Sequence, residues 1–449
     1  MSEANCEHGE RARYATGVRS RFASFGASAL ASLRVRALAS FGAKAVPLAA
    51  LTLLSGAAAA APLWQQGARL PDQVRSVQIL REGEPMWTAP DRRAPRRGTA
   101  RLGAHLPVYS TRSGPGCAGK WINVGPMAWL CELDVALSAA PPLTEEPPRV
   151  TASGLPFDYF FAGADGAFGY GRLSQADLGA PSAQYEPGMS VALVRTQTNA
   201  LGELFGLTTK GFWFPMRELN PARPLGFGAE ELNGELDVLW VYQRTASLHD
   251  KPEGRRTGTL SQFESARYTE VVVRSKRRWF KTPHGWVSER EVRAPTPSEP
   301  PEEARPDERW IDVELEQQVI TAYQGRVPVF SALASTGRGR GKSEMATPVG
   351  VHRVWVKLRT GDMDNLENEY AGRYYAIEEV PWVLYFKRGY GLHGTFWHRR
   401  FGNKQSHGCV NLTPRAAERL YHWSSPKLPA GWTAALPTAY EPGTLVRVR

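Results

Sequence analysis

The chain has 449 residues, 42% apolar and 22% charged, so it can bury several cores, and disordered or collagen-like classes are excluded. Abundant Gly (43) and Pro (34), with 14 Trp, 15 Tyr and 17 Phe, suit short strands and many turns, so a mostly β protein is expected. The formal charge of +11 includes +4 from residues 1–44, which hold seven basic and three acidic residues; the remaining +7 suits an anionic polymer or plain solubility and decides nothing alone.

Residues 45–61 read AVPLAALTLLSGAAAAA, an uncharged run behind an Arg-bearing segment and before Pro62, Leu63 and Trp64. These are the parts of a secretory signal, so residues 1–61 are expected to be a leader and the protein exported, periplasmic or wall-associated. The basic region is long for such a signal. An internal start, or an uncleaved anchor as the sole link to a membrane, are the alternatives. Cys6 falls in the leader, which leaves Cys117, Cys131 and Cys409. Cys117 and Cys131 flank a Trp-rich segment at a spacing suited to a disulfide in an oxidising compartment, or are two buried thiols. Cys409 is then unpaired, and its neighbours must say whether it is reactive.

Two Pro/Glu-rich stretches, 139–152 and 294–307, read as linkers. They bound a first block at 65–138, a β-rich block at 153–230, a further block at 231–293, and a C-terminal block at 308–449. A weak echo runs through the first three: Lys120-Trp121-Ile122 leads to Trp129-Leu130-Cys131-Glu132, Phe212-Trp213-Phe214 to Arg217-Glu218-Leu219, and Arg278-Trp279-Phe280 to Gly285-Trp286-Val287. Blocks 65–138 and 231–293 resemble bacterial SH3-like barrels, which accompany wall enzymes and bind wall polymer. The same Trp residues serve equally well as small-barrel cores. Block 153–230 has no assigned role from sequence.

The C-terminal block carries the chemistry. Five of the nine histidines lie in the last hundred residues, and three cluster with the odd cysteine: His393-Gly394-Thr395-Phe396-Trp397-His398, then Ser406-His407-Gly408-Cys409-Val410-Asn411. A cysteine nucleophile must become a thiolate, for which histidine supplies the base. Gly408 lets a substrate carbonyl approach, so the Gly408 and Cys409 amides are expected oxyanion donors. Thr413 and Pro414 read as N-cap and first residue of a helix with Ala417 and Leu420 facing in; its dipole is expected to lower the Cys409 pKa. A zinc site built from His393, His398, His407 and Cys409 is disfavoured, because residues five apart face opposite sides of a strand. No metal and no cofactor are expected. The run Gly337 to Ser343 imitates a phosphate loop, but Thr336 stands where the first glycine is needed; nucleic acid is likewise not an expected partner.

With the His-Gly pair and Ser-His-Gly-Cys-Val-Asn in view, residues 308–425 resemble the catalytic domain of L,D-transpeptidases of the YkuD family. Trp310 to Val313 and Gln317 to Tyr323 resemble its opening hairpin, Thr347-Pro348-Val349-Gly350 its Thr-Pro-x-Gly turn, and Pro381 to Phe386 the strand before the site. The resemblance implies a β-sandwich in which Cys409 attacks a peptidoglycan tetrapeptide stem. It implies His393 as general base with Gly394 orienting its ring, His407 shaping the pocket, and Ser406 and Asn411 holding the loop. Tyr385, Trp397 and His398 are expected to line the substrate pocket, His398 having a structural role as its alternative. Residues 360–379 are expected to form a charged lid. The acceptor is a stem amine, a wall-attached lipoprotein amine, or water, the last making a carboxypeptidase or amidase. A peptidoglycan-binding scaffold with a silent catalytic block is the reading from another class.

Overall fold

The computed structural model of the protein describes residues 67–68, 70–144, 151–341, 343–366 and 375–449; the leader expected at 1–61 lies outside them. Among the described residues no helix is long and apolar enough to cross a membrane. The fold is mostly β, and from Ala61 to Arg449 it forms one unit.

In residues 70–144 the strand Ser76–Ile79 pairs with His105–Pro107 and Val135–Ser138, while Ser110–Arg112, Trp121–Gly125 and Ala128–Cys131 form a meander. Trp121–Gly125 is buried along its whole length, which explains its run of large apolar residues. Cys117 and Cys131 are joined by a disulfide, packed with Trp121 and Trp129. The sequence echo is a repeated local structure. A strand ends, a 3-10 turn follows, and a second strand leaves it, at Ala128–Cys131, Glu132–Asp134 and Val135–Ser138, and again at Trp213–Pro215, Met216–Glu218 and Leu219–Pro221.

Each of the three preceding blocks shares a core with the C-terminal one. Arg96–Ala100 pairs with Trp432–Ala435, and Trp432 and Ala435 lie in the same apolar cluster as Val77, Leu106 and Ile122. Arg97 closes this seam: its guanidinium is 4% exposed, donates to Leu436 O, pairs with Glu441 at 2.9 Å and lies over the Trp432 ring. Arg97→Ala takes the guanidinium from Leu436 O and from one oxygen of Glu441, whose other oxygen keeps Lys427 N. A loss of about 2–3 kcal/mol in chemical denaturation is the expected result. Trp240 and Leu232 pack with Leu333 and Phe401, and Tyr159 and Leu155 with Ile377, Val380 and Phe396.

In the C-terminal block Arg309–Glu314 and Val319–Gln324 form the expected opening hairpin, with Trp310 opposite Tyr323 and their rings stacked at 4.3 Å. Leu445–Val448 adds to it in parallel, and Val327–Ser335 continues the sheet. The stretch expected as a Pro-rich linker at 294–307 is held against this sheet: Thr296 donates to both oxygens of Glu314, and Arg447 reaches Glu299 O. Of the expected 360–379 lid, residues 360–364 and 376–379 lie in a strand pair with a register shift between Gly361 and Met363. Val356–Asp364 pairs with Ala376–Lys387 from Val356 opposite Tyr385 out to Asp364 opposite Ala376.

The helix Pro414–Trp423 starts as its sequence requires, with Thr413 accepting from Ala416 N and Pro414 in the first turn, and buries Ala416, Ala417 and Leu420. Its far end is capped by Lys357, fully buried, whose ammonium donates to Tyr421 O and Ser424 O. Burial, and then Lys427, push its amine down to about 7, and its N–H groups satisfy carbonyls that have no intrahelical partner.

Candidate active site

Two short parallel strands build the centre. Tyr390–Gly394 pairs with Val410–Leu412 so that Leu392 lies opposite Val410 and His393 opposite Asn411. Paired residues of neighbouring strands share a face, so His393 and Asn411 point to the same side, and Cys409 lies in the bend just before Val410–Leu412, two residues ahead of Asn411. Cys409 Sγ lies 3.7 Å from Gly389 O in the turn that precedes Tyr390–Gly394. Among the described residues no hydrogen bond joins Cys409 to His393.

His393 is 1% exposed, and its Nδ1 lies 3.2 Å from Gly394 O. A carbonyl only accepts, so Nδ1 carries the ring proton and Nε2 keeps its lone pair. Burial pushes the imidazole down to about 4 despite this hydrogen bond, so the ring is a neutral base at pH 7. Trp397 stacks on it at 5.7 Å. His398 is also pushed down to about 4, by burial first and then by His393 and Arg400. Arg400 N donates to its Nδ1 and its Nε2 lies 2.8 Å from the Asn411 amide, so His398 ties the 398–400 turn to the Asn411 strand.

The loop before Cys409 is held from both sides. Ser406 Oγ donates to Cys409 O and accepts from Gly408 N, while Thr347 Oγ1 donates to Gly408 O and accepts from Gly337 N. Gly408 has φ +120°, a conformation open to glycine, and faces the Tyr390 ring. The expected oxyanion pair therefore needs correction. The Gly408 N–H is already taken by Ser406, and the Cys409 amide is the donor left to consider.

A second expectation also changes. Cys409 was expected to gain from the helix dipole, yet strand Val410–Leu412 and Thr413 separate it from Pro414, roughly 15 Å of extended chain, and the dipole acts within the first turn. Burial instead pushes the Cys409 thiol up, opposed by the Gly391 N–H. Cys409 thus rests as a neutral thiol and His393 as a neutral imidazole.

His407 is exposed at the rim, 2.7 Å from the Arg338 guanidinium and stacked at 5.8 Å on Tyr375. Burial and Arg338 lower its pKa. Tyr385 is half-buried, stacks on Trp355, and is pushed up to about 12 by burial and then by Cys409 and Tyr375. Cys409 also contributes to the raised Tyr375 pKa. Tyr375, Arg338 and Trp355 were not singled out from sequence. Tyr375 sat in a segment read as loop, and Arg338 in a run dismissed as a false phosphate loop.

Among solved structures, the chain is similar to an L,D-transpeptidase (residues 123–326) from Xylanimonas cellulosilytica at 21% identity, covering 33% of this chain and 64% of that one, with a TM-score of 0.23. It is similar to the catalytic domain of an L,D-transpeptidase from E. faecium at 22% identity, covering 32% of this chain and 100% of that one, with a TM-score of 0.24. L,D-transpeptidase 3 from Mycobacterium tuberculosis is 20% identical, with 36% and 73% covered and a TM-score of 0.25. No curated protein matches the chain. The family model that matches is that of the L,D-transpeptidase catalytic domain, YkuD, and it takes in residues 308–448, the block that holds His393, Cys409 and the two strands joining them.

Proposed function

We propose that the protein is an exported cysteine L,D-transpeptidase acting on peptidoglycan tetrapeptide stems. The observation that supports this is the register of the two parallel strands, in which His393 lies opposite Asn411 with Cys409 two residues before it along the chain, inside a block matching the YkuD catalytic domain. In this reading His393 Nε2 takes the thiol proton as Cys409 Sγ attacks the carbonyl of the third stem residue. In the same reading the Cys409 N–H serves the developing oxyanion. The C–N bond to the terminal D-Ala breaks, its amine leaving with the proton from His393, and a thioester remains. An acceptor amine then loses a proton to His393, attacks the thioester and expels the thiolate, which regains that proton. Water in place of the amine gives the hydrolytic variant. Tyr385, Trp397 and Tyr375 form the pocket wall, and the blocks at 65–138 and 231–293 serve as SH3-like modules.

The test is intact-protein mass spectrometry after exposure to a carbapenem, with stem turnover followed in parallel. One adduct on the wild type, none on Cys409→Ala, and loss of turnover in that variant are the expected results. Full turnover by Cys409→Ala would end the proposal. Product mass separates the two acceptors, a cross-linked dimer from a shortened tripeptide.

A further inference from the structure

Residues 151–222 reach His393 by two routes. The first is a row of rings. Tyr159 and Phe161 lie 4.2 and 5.9 Å from Phe396, Phe396 meets Trp397 edge-on at 5.1 Å, and Trp397 stacks on the imidazole.

The second runs through the backbone of Ala376–Lys387. Two of its non-glycine residues have positive φ, Glu379 at 51° and Trp382 at 61°. Each such residue costs about 1–3 kcal/mol and persists only where its surroundings dictate it. Here both are held by the same block: Tyr159 OH donates to Glu379 O, and Trp382 Nε1 donates to Gly154 O at 2.7 Å. Between them Pro381 packs on Gly394 so closely that a Cβ there would lie 2.9 Å from Pro381 Cγ. Gly394 O is the acceptor that orients His393 Nδ1. Ring face and ring nitrogen thus both rest on parts that residues 151–222 hold.

We propose that residues 151–222 are a brace for the active site, with Tyr159 and Phe161 as positioning residues that set the orientation of His393. The inference rests on the reading of His393 as the base for Cys409. A base displaced by about 1 Å loses on the order of 100-fold in rate, while a stem bound elsewhere in the pocket keeps its affinity. The brace is therefore read in kcat, not in KM.

The experiment compares the full chain with its Phe161→Ala, Phe161→Tyr and Tyr159→Phe variants, using stem turnover, iodoacetamide alkylation of Cys409 at pH 7 and thermal melting. Phe161→Ala is expected to lower kcat and the alkylation rate together by about 10–100-fold at little change in KM. Phe161→Tyr, which restores the ring, is expected to recover both within about 2-fold. Tyr159→Phe keeps the ring and removes only the bond to Glu379 O, so it serves if Phe161→Ala does not fold; a fall of about 10-fold in kcat is expected. A folded Phe161→Ala or Tyr159→Phe protein with wild-type kcat overturns the brace, as does a loss that follows only the unfolded fraction. Should His393→Ala or Cys409→Ala remain active, the reading of the site itself has failed; should both be inactive while the Phe161 and Tyr159 variants match wild type, only the brace has.

Discussion

His393→Ala is expected to lower stem turnover by about 10²–10⁴-fold, the range a positioned general base supplies. The pH profile distinguishes this role from a structural one. Because burial holds the His393 imidazole at about 4, its base form is present above that pH, so the acid limb of kcat/KM for the wild type should fall near pH 4 rather than near the ordinary histidine value. The thiol is pushed up, so without His393 the residual rate should climb with pH through and beyond about 8.5, following thiolate formation. Iodoacetamide alkylation of Cys409 should show the same change of profile. An acid limb near 6.5 in the wild type would mean that His393 titrates as an ordinary histidine and that burial does not depress it, and unchanged turnover in His393→Ala would remove the residue from the mechanism.

Gly408→Ala should be as damaging by a different cause. A Cβ at Gly408 would lie 2.4 Å from Tyr390 Cε1 and 3.2 Å from Glu344 O, and φ +120° is strained for any L side chain. Strain and overpacking together cost about 2–5 kcal/mol, and relief requires the loop to move at the residue beside the nucleophile. Loss of turnover by more than about 100-fold is expected, with a lowered midpoint in denaturant. Gly337→Ala should act in the same direction, since its Cβ would come within 2.9 Å of Gly408 Cα and 2.4 Å of Met345 O. A Gly408→Ala protein with wild-type stability and turnover would show that the loop has room to yield.

These two sites differ in how far the chain order alone points to them. Cys409 and His393 are legible because the chemistry needs those residue types, and because the His-Gly and Ser-His-Gly-Cys patterns lie close along the chain. The N-cap at Thr413 and the opening hairpin are equally local, set by capping and by alternation over a few residues. Gly408 was legible as permissive but was assigned the wrong partner. The Ser406 hydroxyl that takes its N–H is only two residues away, and nothing in the order of residues says whether that donor faces inward or to a substrate. Tyr375 and Arg338 were missed because each gains its place beside His407 from a contact tens of residues distant.

The sequence by itself determined the mostly β class, the local turns and caps, and the choice of Cys409 and His393 as the residues proposed for nucleophile and base, since all of these depend on residue type and short-range spacing. Tertiary structure alone decided the ionisation of the site and the role of the chain before it. Desolvation, which holds the imidazole at about 4 and raises the thiol, is a property of everything packed around a group. The same holds for the blocks read as separate modules joined by linkers: their edges complete the cores of the C-terminal block at Trp432, Phe401 and Phe396, pairings whose long sequence separations leave no periodic trace in the chain.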